Sequence, residues 1–258
     1  APALVRPADR GTRLVSGGSS GVPIGVPVPG WHVRPVPSGV VLTGRTCVLE
    51  LLSASHVEDL ALAWGDTDGA HWRYLWMERP DGPDAVAALV ASMVADPGWV
   101  TYAVLVEGRA AGVLSLMRID PANGSVEIGA VIFGAPLVRT VASTEAQRLL
   151  MGHVFDDLGY RRLEWKCDAL NAGSRRAAER LGYTLEGVFR QAVVTKGRNR
   201  DTAWFSVLDG EWPACLSAFE RWLAPKPHAT QEAVPYATPV YQRYRKLLDA
   251  CLRHRWLV

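Results

Sequence analysis

The stretch Arg139–Gly187 reads RTVASTEAQRLLMGHVFDDLGYRRLEWKCDALNAGSRRAAERLGYTLEG, and its pattern decides which fold the chain adopts. It opens with the small and hydroxyl residues Thr140 to Thr144, which follow an apolar, strand-like run over residues 126–133. Apolar or small residues then recur at helical spacing, at Ala146, Leu149, Leu150, Val154 and Leu158. The pattern predicts a strand, a tight turn and a helix, with Ser143 or Thr144 as the helix cap.

The turn before this helix has the properties of a phosphate-binding site. The first N–H groups of a helix have no partner within the helix, and the helix dipole favours negative charge beside them. Arg139 places a guanidinium next to the same turn. A strand, a turn and a helix start in this order are therefore suited to bind phosphate oxygens. An ordinary capped surface helix is the alternative, and the local pattern alone does not separate the two.

The rest of the stretch alternates strands and helices. Residues 162–168 alternate like a strand, and residues 171–181 form a helical pattern that Gly182 ends. Two further strands are predicted at 184–191 and 201–208, joined by the basic loop TKGRNR.

The part of the chain before this stretch adds a meander of strands. It is predicted to contain strands at 47–52, 99–106, 111–119 and 125–133, and helices at 55–64 and 84–95. Ser55 is predicted to cap the first helix, and a turn is predicted at Glu107–Gly108. Meandering strands followed by interleaved helices and strands predict an α/β fold, with a mixed sheet and helices on both faces.

The segments EIGAVIF, RTVASTEA, DALNAGS, RLGYTLEGVFRQ and KGRNRDTAWFSVLDGEWP together resemble the GNAT-superfamily N-acyltransferases, in particular the RimJ/RimL type of ribosomal-protein N-terminal acetyltransferases. The resemblance implies the GNAT acyl-CoA N-acyltransferase fold for a domain at 45–224. An extended Pro/Gly-rich segment, 1–44, precedes the domain, and a linker with a carboxy-terminal helix, 225–258, follows it. The implied reaction is direct transfer of the acetyl group of acetyl-CoA to a primary amine of a small molecule or a protein N-terminus.

The resemblance also implies where acetyl-CoA binds. Its diphosphate is expected at the turn, on Arg139, Thr140, Val141, Ala142, Ser143 and Thr144. Its pantetheine arm is expected to pair like an added strand with Val131, Ile132 and Phe133, with a backbone N–H near Val131 or Ile132 polarising the thioester. The family usually carries glycines where this chain has Val141 and Ala142.

Two side chains are the catalytic candidates that the resemblance implies. Glu127 is the expected general base, the alternative being a salt-bridged or solvated strand carboxylate. Ser174, three residues after Asn171 and on the same helix face, is expected to bind the cofactor arm with Asn171 and to protonate the departing thiolate. Asn171 also suits a helix N-cap. The family's more common tyrosine would fall near Ala178, and the glutamate of RimL-type enzymes near Val193, so a water chain is a second route for the amine proton.

The acceptor pocket is expected between the first helices and the second strand. The resemblance places Trp72, Tyr74 and Trp76 in its wall, whereas a plain aromatic core is the alternative. Arg190 belongs to a basic group near the end of the domain and is expected to contact an acidic part of the acceptor, with a solvated turn as the default.

Composition excludes several other classes. The net charge is only +2, from 28 basic and 26 acidic residues, so nucleic acid is not expected as a partner. The four cysteines are widely scattered and lack metal-ligand spacing, which indicates reduced thiols and no metal site. No apolar run reaches the roughly 20 residues that cross a bilayer. A signal peptide is not expected either, because prolines interrupt the apolar patch near the amino terminus, and the expected location is the cytoplasm.

A second hypothesis keeps the fold and drops the catalysis. The missing tyrosine and the uncertain base also fit a catalytically weak CoA-binding sensor or interaction module. The oligomeric state is left open by the sequence, with a homodimer as one candidate.

Overall fold

The computed structural model describes residues 14–16, 23–65 and 69–225, so the predicted carboxy-terminal helix and nearly all of its linker lie outside the described residues. The chain divides into two compact units, Ala1–Phe219 and Glu220–Val258. The first unit contains a short antiparallel hairpin, in which β1 (Leu14–Ser16) pairs with β2 (Pro23–Gly25), and a larger sheet.

The larger sheet is mixed, as the sequence predicts. Its strands are β3 (Leu42–Thr43), β4 (Val48–Leu51), β5 (Val100–Val106), β6 (Arg109–Asp120), β7 (Ser125–Phe133), β8 (Arg162–Asp168), β9 (Thr184–Thr195) and β10 (Arg198–Leu208). Their order is β3-β4-β5-β6-β7-β8-β10-β9, and all neighbours are antiparallel except β7 and β8, which are parallel. Because β3 lies before residue 45, the sheet begins inside the predicted amino-terminal segment.

The helices cover both faces of this sheet. They are α1 (Val57–Gly65), α2 (Gly82–Ala95), α3 (Val141–Gly152), α4 (Ala172–Arg180) and α5 (Trp212–Leu223). Helices α1 and α2 bury Leu60, Trp64 and Val90 against inward residues of β5, β6 and β7, such as Ala103 and Val113. On the opposite face, Trp165 of β8 contacts α4. This layering confirms the predicted fold class.

The cap predicted for the first helix was wrong. The helical region around α1 opens with a short turn, Ala54–His56, whose N-cap is Ser53 and not Ser55. The His56 ring accepts the Ser53 N–H at 3.1 Å and contacts Glu50 at 2.8 Å, so Ser53 is held by the first turn of the helix. Ser55 lies one residue inside that turn, where its hydroxyl contacts Ser53 at 2.7 Å.

The predicted basic loop TKGRNR is mostly strand. Pairs continue through Arg198↔Thr195, Asn199↔Val194 and Arg200↔Val193, so only Lys196 and Gly197 form the turn. Both turn residues have positive φ, +51° and +70°, as a two-residue hairpin turn of type I′ requires. The loop prediction failed because charged side chains on an exposed hairpin do not disturb its backbone pairing.

The amino-terminal segment contacts the domain through Trp31. Its indole N–H donates to the Ala122 carbonyl at 2.9 Å, and its ring lies against the guanidinium groups of Arg34 and Arg161, at 4.6 and 5.6 Å from the ring centroid. A side chain on Gly124 would collide with the same indole. The segment is thus fixed to the turn between β6 and β7.

Glu145 of α3 holds the turn between β3 and β4. The buried carboxylate accepts the N–H of Arg45 at 3.0 Å and the N–H of Thr46 at 2.6 Å. Burial acts to raise the pKa of Glu145, but the hydrogen bonds from Thr46 and Arg45 outweigh it and hold the pKa below its ordinary value of 4.5. The charged form is therefore the one that stabilises the fold.

Replacing this carboxylate is expected to destabilise the protein in a pH-dependent way. Glu145→Gln should lower the free energy of unfolding at pH 7 by about 2 kcal/mol, since one neutral amide oxygen replaces the two charged acceptor oxygens of the carboxylate. A lowered folded-state pKa gives stability that is present above pH 4.5 and is lost as the pH falls through the folded-state pKa. Urea unfolding at pH 7 and at pH 3.5 should show the difference from the wild type shrinking at the lower pH. The exposed Glu179→Gln is the control, and a difference independent of pH contradicts this account.

Candidate active site

Strands β7 and β8 are paired only at their beginnings. The parallel register runs through Ser125↔Arg162, Val126↔Leu163 and Glu127↔Glu164 and then stops, although β7 continues to Phe133. We call the space between the two strands beyond Glu127 the β7–β8 gap. The edges of the gap carry backbone groups without a partner strand, so an extended ligand can hydrogen-bond there as an added strand does.

A β-bulge lies on β7 beside the gap. Val113 of β6 pairs with Ile132 and Ser115 pairs with Gly129, so β7 has one extra residue between these pairs. Ala130, at the bulge, has φ = +47°, a conformation that is uncommon for a residue other than glycine. The predicted oxyanion donors near Val131 and Ile132 therefore lie where the backbone of β7 changes direction.

Helix α3 begins at Val141, and its N-cap is Thr140. The Thr140 hydroxyl accepts the Ser143 N–H at 3.2 Å, so the predicted caps Ser143 and Thr144 were wrong: both lie inside the first turn. Thr140 has extended backbone angles, which suit a cap, whereas the later residues are helical. The N–H groups of Val141 and Ala142 have no acceptor among the described residues.

Ser143, Thr144 and Arg139 at the start of α3 have different contacts. The Ser143 hydroxyl donates to the Thr140 carbonyl at 2.8 Å, and the Thr144 hydroxyl accepts from Arg180 of α4 at 3.0 Å. These two side chains therefore bind the protein itself. Arg139 is exposed and has φ = +62°, and it directly precedes the cap. A diphosphate at this turn would meet backbone N–H groups and the Arg139 guanidinium.

Helix α4 starts with the predicted pair. Asn171 is its N-cap, with the amide oxygen accepting the Ser174 N–H at 3.0 Å. The Ser174 hydroxyl oxygen accepts from the Trp165 indole at 3.0 Å. Because the indole only donates, it does not use the hydroxyl proton of Ser174, which lies within hydrogen-bond reach of the neighbouring Cys167 sulfur. Burial raises the pKa of the neighbouring Cys167 thiol, an effect partly offset by a hydrogen bond from Ser174.

Glu127 is buried and salt-bridged. One carboxylate oxygen, Oε2, is 2.8 Å from the Arg118 Nε and 3.0 Å from the Lys166 Nζ. The residue faces α1 and α2, since it pairs with Met117, which belongs to the core under those helices. Neither Arg118 nor Lys166 was singled out from the sequence. Only the register of three strands shows that these cations flank the carboxylate.

The predicted acceptor residues Trp72, Tyr74 and Trp76 differ in burial. Trp72 is only 2% exposed and packs edge-on against Trp64, with ring centroids 5.6 Å apart, so its side chain belongs to the core and not to an open wall. Tyr74 is half-buried, and the exposed Trp76 packs edge-on against Trp99.

The β9–β10 hairpin reaches toward this aromatic segment. Lys196, in the hairpin turn, donates to the Trp72 carbonyl at 3.0 Å and is 3.1 Å from Glu78. The sequence indicated only a basic cluster here. Arg190 is exposed on β9 and lies within electrostatic reach of Asp201, whose pKa is lowered mainly by hydrogen bonds from the Gln191 N–H and Asn199.

The described residues contain neither a metal-binding cluster nor a membrane-spanning helix. No group of three or more His, Cys, Asp or Glu side chains is arranged to hold a metal ion. No helix there is long and apolar enough to span a bilayer.

Solved structures similar to this chain come from the same family. A GCN5-related N-acetyltransferase from Brucella melitensis is 45% identical, with a TM-score of 0.74 over 77% of this chain and 91% of that one. A probable acetyltransferase of the GNAT family from Chromobacterium violaceum ATCC 12472 is 38% identical, with a TM-score of 0.70 over 74% of this chain and 98% of that one.

A curated relative is also named as an N-acetyltransferase. "Putative ribosomal N-acetyltransferase YdaF" of Bacillus subtilis (strain 168) is 30% identical over 118 residues, which are 46% of this chain and 64% of that protein. The match thus spans less than two thirds of the relative's length. The family described as "Acetyltransferase (GNAT) domain" matches residues 47–184, which include the β7–β8 gap and the starts of α3 and α4. The chain belongs to the GNAT acetyltransferase family.

Proposed function

We propose that the protein is a RimJ/RimL-like N-acetyltransferase that moves the acetyl group of acetyl-CoA to a primary amine. The observation that carries the proposal is the β7–β8 gap together with the N–H groups at the start of α3, the next helix along the chain. Pairing stops at Glu127, and the chain then leads through β7 into a helix whose first two N–H groups, on Val141 and Ala142, lack acceptors among the described residues. A long thioester with a diphosphate at its far end fits such a gap and helix start.

Each residue of the site has its own role in the proposed reaction. Bound acetyl-CoA supplies an activated acetyl thioester. The Val141 and Ala142 N–H groups and Arg139 hold its diphosphate, and the β7 bulge presents N–H groups to the thioester carbonyl. As the acceptor nitrogen forms its bond to the acetyl carbon and the C–S bond breaks, Glu127 takes the amine proton. Ser174 passes a proton to the leaving thiolate and regains one from water, so its hydroxyl is restored.

The acceptor that we propose is a protein N-terminus or a small amine. The curated relative is named for ribosomal N-acetylation, which supports an N-terminus. The contact of Lys196 with the Trp72 carbonyl ties the β9–β10 hairpin to the segment before α2. A flexible chain end or a small molecule fits beneath such a connection more easily than a lysine on a folded surface.

The location and assembly that we propose are the cytoplasm and a homodimer. Among the described residues Cys47, Cys167 and Cys215 are free thiols, which supports a reducing compartment. The edge strand β9 exposes Phe189 and Val194, which supports contact with a second copy. Sedimentation of the purified protein across a concentration series tests the dimer.

Calorimetry and product analysis test the function. Acetyl-CoA should bind the purified protein, and thiol should be released when an amine is added. Mass spectrometry after incubation with peptides and with small amines separates the two acceptor classes. Absence of both binding and thiol release with every amine contradicts the proposal.

A catalytically weak CoA-binding module is the second candidate. It is favoured by the engagement of Glu127 Oε2 with two cations and by Ala178 at the place of the family's usual tyrosine. Tight CoA binding without turnover would support it, as would unchanged residual activity in Glu127→Gln and Ser174→Ala.

Loss of the Ser174 hydroxyl is expected to slow thiol release. Ser174→Ala should lower kcat about 10- to 100-fold, because the thiolate then leaves without a proton donor. The same change removes the acceptor of the Trp165 indole, so Trp165→Phe serves as the matched control. Thiol release by the Phe variant should stay within about threefold of the wild type. An equal loss in both variants would assign Ser174 to packing alone.

A further inference from the structure

We propose that Lys166 and Arg118 are positioning residues that fix which oxygen of Glu127 receives the amine proton. The proposal rests on the proposed function, in which Glu127 is the base. Both cations contact Oε2, one from each of the strands that flank β7. No described residue donates a hydrogen bond to Oε1. We call Arg118, Glu127 and Lys166 the carboxylate clamp.

Lys166 crosses the beginning of the β7–β8 gap. It lies two residues beyond Glu164, the last residue of β8 that pairs with β7, and its ammonium group reaches back to Glu127. Its side chain is only 6% exposed. The Nζ is also 2.7 Å from the Glu164 carboxylate and 3.7 Å from the centre of the Trp204 ring. A buried ammonium with two carboxylates and an aromatic face has little freedom to leave its position.

The second carboxylate on Lys166 is itself held in place. Glu164 accepts from the Arg162 Nε at 2.7 Å, and Arg162 makes a two-pronged contact with Glu186. The Ser206 hydroxyl donates to Glu186 at 2.7 Å. Lys166 therefore belongs to a row of alternating charges on β8 and β9, which continues through Glu164, Arg162 and Glu186 and helps to hold its side chain beside Glu127.

Arg118 reaches Glu127 from a strained point of β6. Pairing between β6 and β7 shifts register between Met117 and Asp120, and Arg118 has φ = +46°. A bulge of this kind turns a side chain away from its regular direction. Here the result is a guanidinium Nε at 2.8 Å from Glu127 Oε2. Backbone strain of this size persists where the surrounding contacts maintain it.

Gly129 provides the space for the remaining oxygen. A Cβ on Gly129 would lie 3.0 Å from Glu127 Oε1 and 2.6 Å from the Met117 sulfur. Oε1 thus lies over Gly129, next to the bulge at Ala130 where the thioester carbonyl is expected. An amine attacking that carbonyl would meet Oε1, because the cations already occupy Oε2.

The carboxylate clamp predicts how the pH profile of kcat/KM changes when one of its cations is removed. The charged and titratable groups that act on Glu127 are Arg118 from β6, Lys166 and, through it, Glu164 from β8, and the buried Tyr183 hydroxyl. Removing a cation beside a carboxylate favours the protonated, neutral acid. The acid side of the pH profile of kcat/KM should therefore move to higher pH when either cation is removed.

The experiment compares Lys166→Met, Lys166→Arg and Arg118→Gln with the wild type, using acetyl-CoA and an amine that the wild type acetylates. We expect the Met and Gln variants to lower kcat about 10-fold and to move the acid limb to higher pH. The Arg variant keeps the charge, so its acid limb should stay at the wild-type position even if the larger guanidinium lowers kcat. The Kd for acetyl-CoA, measured by calorimetry, should change less than about threefold in every variant. Arg109→Gln, which removes a remote ion pair with Asp59, is the control.

The possible results distinguish a failure of the clamp proposal from a failure of the proposed function. A wild-type protein that binds no acetyl-CoA overturns the proposed function and the clamp with it. Turnover by the wild type, combined with a lowered kcat but an unmoved acid limb in Arg118→Gln, overturns the clamp alone. Arg118 is 64% exposed on its side chain, so its variant should fold even if Lys166→Met does not.

Discussion

Val141→Pro is expected to bind acetyl-CoA about 10- to 100-fold more weakly than the wild type, with the fold unchanged, because one charge-assisted hydrogen bond to the diphosphate is lost. Val141 is the first residue of α3, the position where a helix tolerates proline best. Thr140 before it is extended, with φ = −99° and ψ = 168°, as a residue preceding proline prefers. The substitution therefore removes an N–H group and little else.

Two controls isolate that N–H group. Val141→Ala removes the same side chain and keeps the donor, so its Kd for acetyl-CoA should match the wild type. Arg139→Gly removes the guanidinium at a position whose φ of +62° suits glycine, so the helix start should be retained while binding weakens. Calorimetric titration of all three variants measures the effect. Equal affinities for the Pro and Ala variants would exclude the Val141 amide from diphosphate binding.

The strands that border the gap were predictable to the residue. Both β7, Ser125–Phe133, and β8, Arg162–Asp168, have the predicted bounds. In β8 the residues facing α4 alternate with charged residues facing the other side, and such a period-2 pattern sets both the strand and its register. The start of α4 was predictable for a similar reason, because Asn171 is a strong cap and Gly182, with φ = +97°, ends the helix.

The cap of α3 was less predictable because hydroxyl residues are crowded there. Thr140, Ser143 and Thr144 all have side chains that can cap a helix, and composition does not rank them. The structure selects Thr140, the one with an extended backbone. The same limit applied to the β9–β10 hairpin, where basic residues resemble a solvated loop although their backbone pairs as a strand.

The carboxylate clamp could not be predicted from the sequence, for a different reason. Arg118 and Lys166 are 9 and 39 residues from Glu127 along the chain, at opposite sides of β7. Their meeting depends on a bulge in β6 and on the point where β7 and β8 separate, and neither leaves a residue pattern. The burial of Trp72 could not be predicted either, because the sequence does not distinguish an aromatic residue in a pocket wall from one in the core.

Glu127→Gln is expected to cause the largest loss of turnover, about 100- to 1,000-fold in kcat, because glutamine cannot take the amine proton. Glutamine has the size of glutamate, and its carbonyl oxygen can still accept from Arg118 and Lys166. Lys166 also keeps Glu164 as a partner at 2.7 Å, so the buried ammonium is not left without a countercharge. The Kd for acetyl-CoA, measured by calorimetry, should therefore change little.

A comparison of two acceptor amines tests whether the loss of kcat in Glu127→Gln reflects proton transfer. An amine that is neutral at the assay pH and weakly basic needs less help from a base than an alkylamine does. The loss of kcat in Glu127→Gln should accordingly be several-fold smaller with the weakly basic amine. A structural role of Glu127 in holding β6, β7 and β8 together would reduce turnover of both amines equally and would lower the melting temperature as well. Thiol release with the two amines, measured beside a melting curve, thus separates a base from a salt bridge at the same carboxylate.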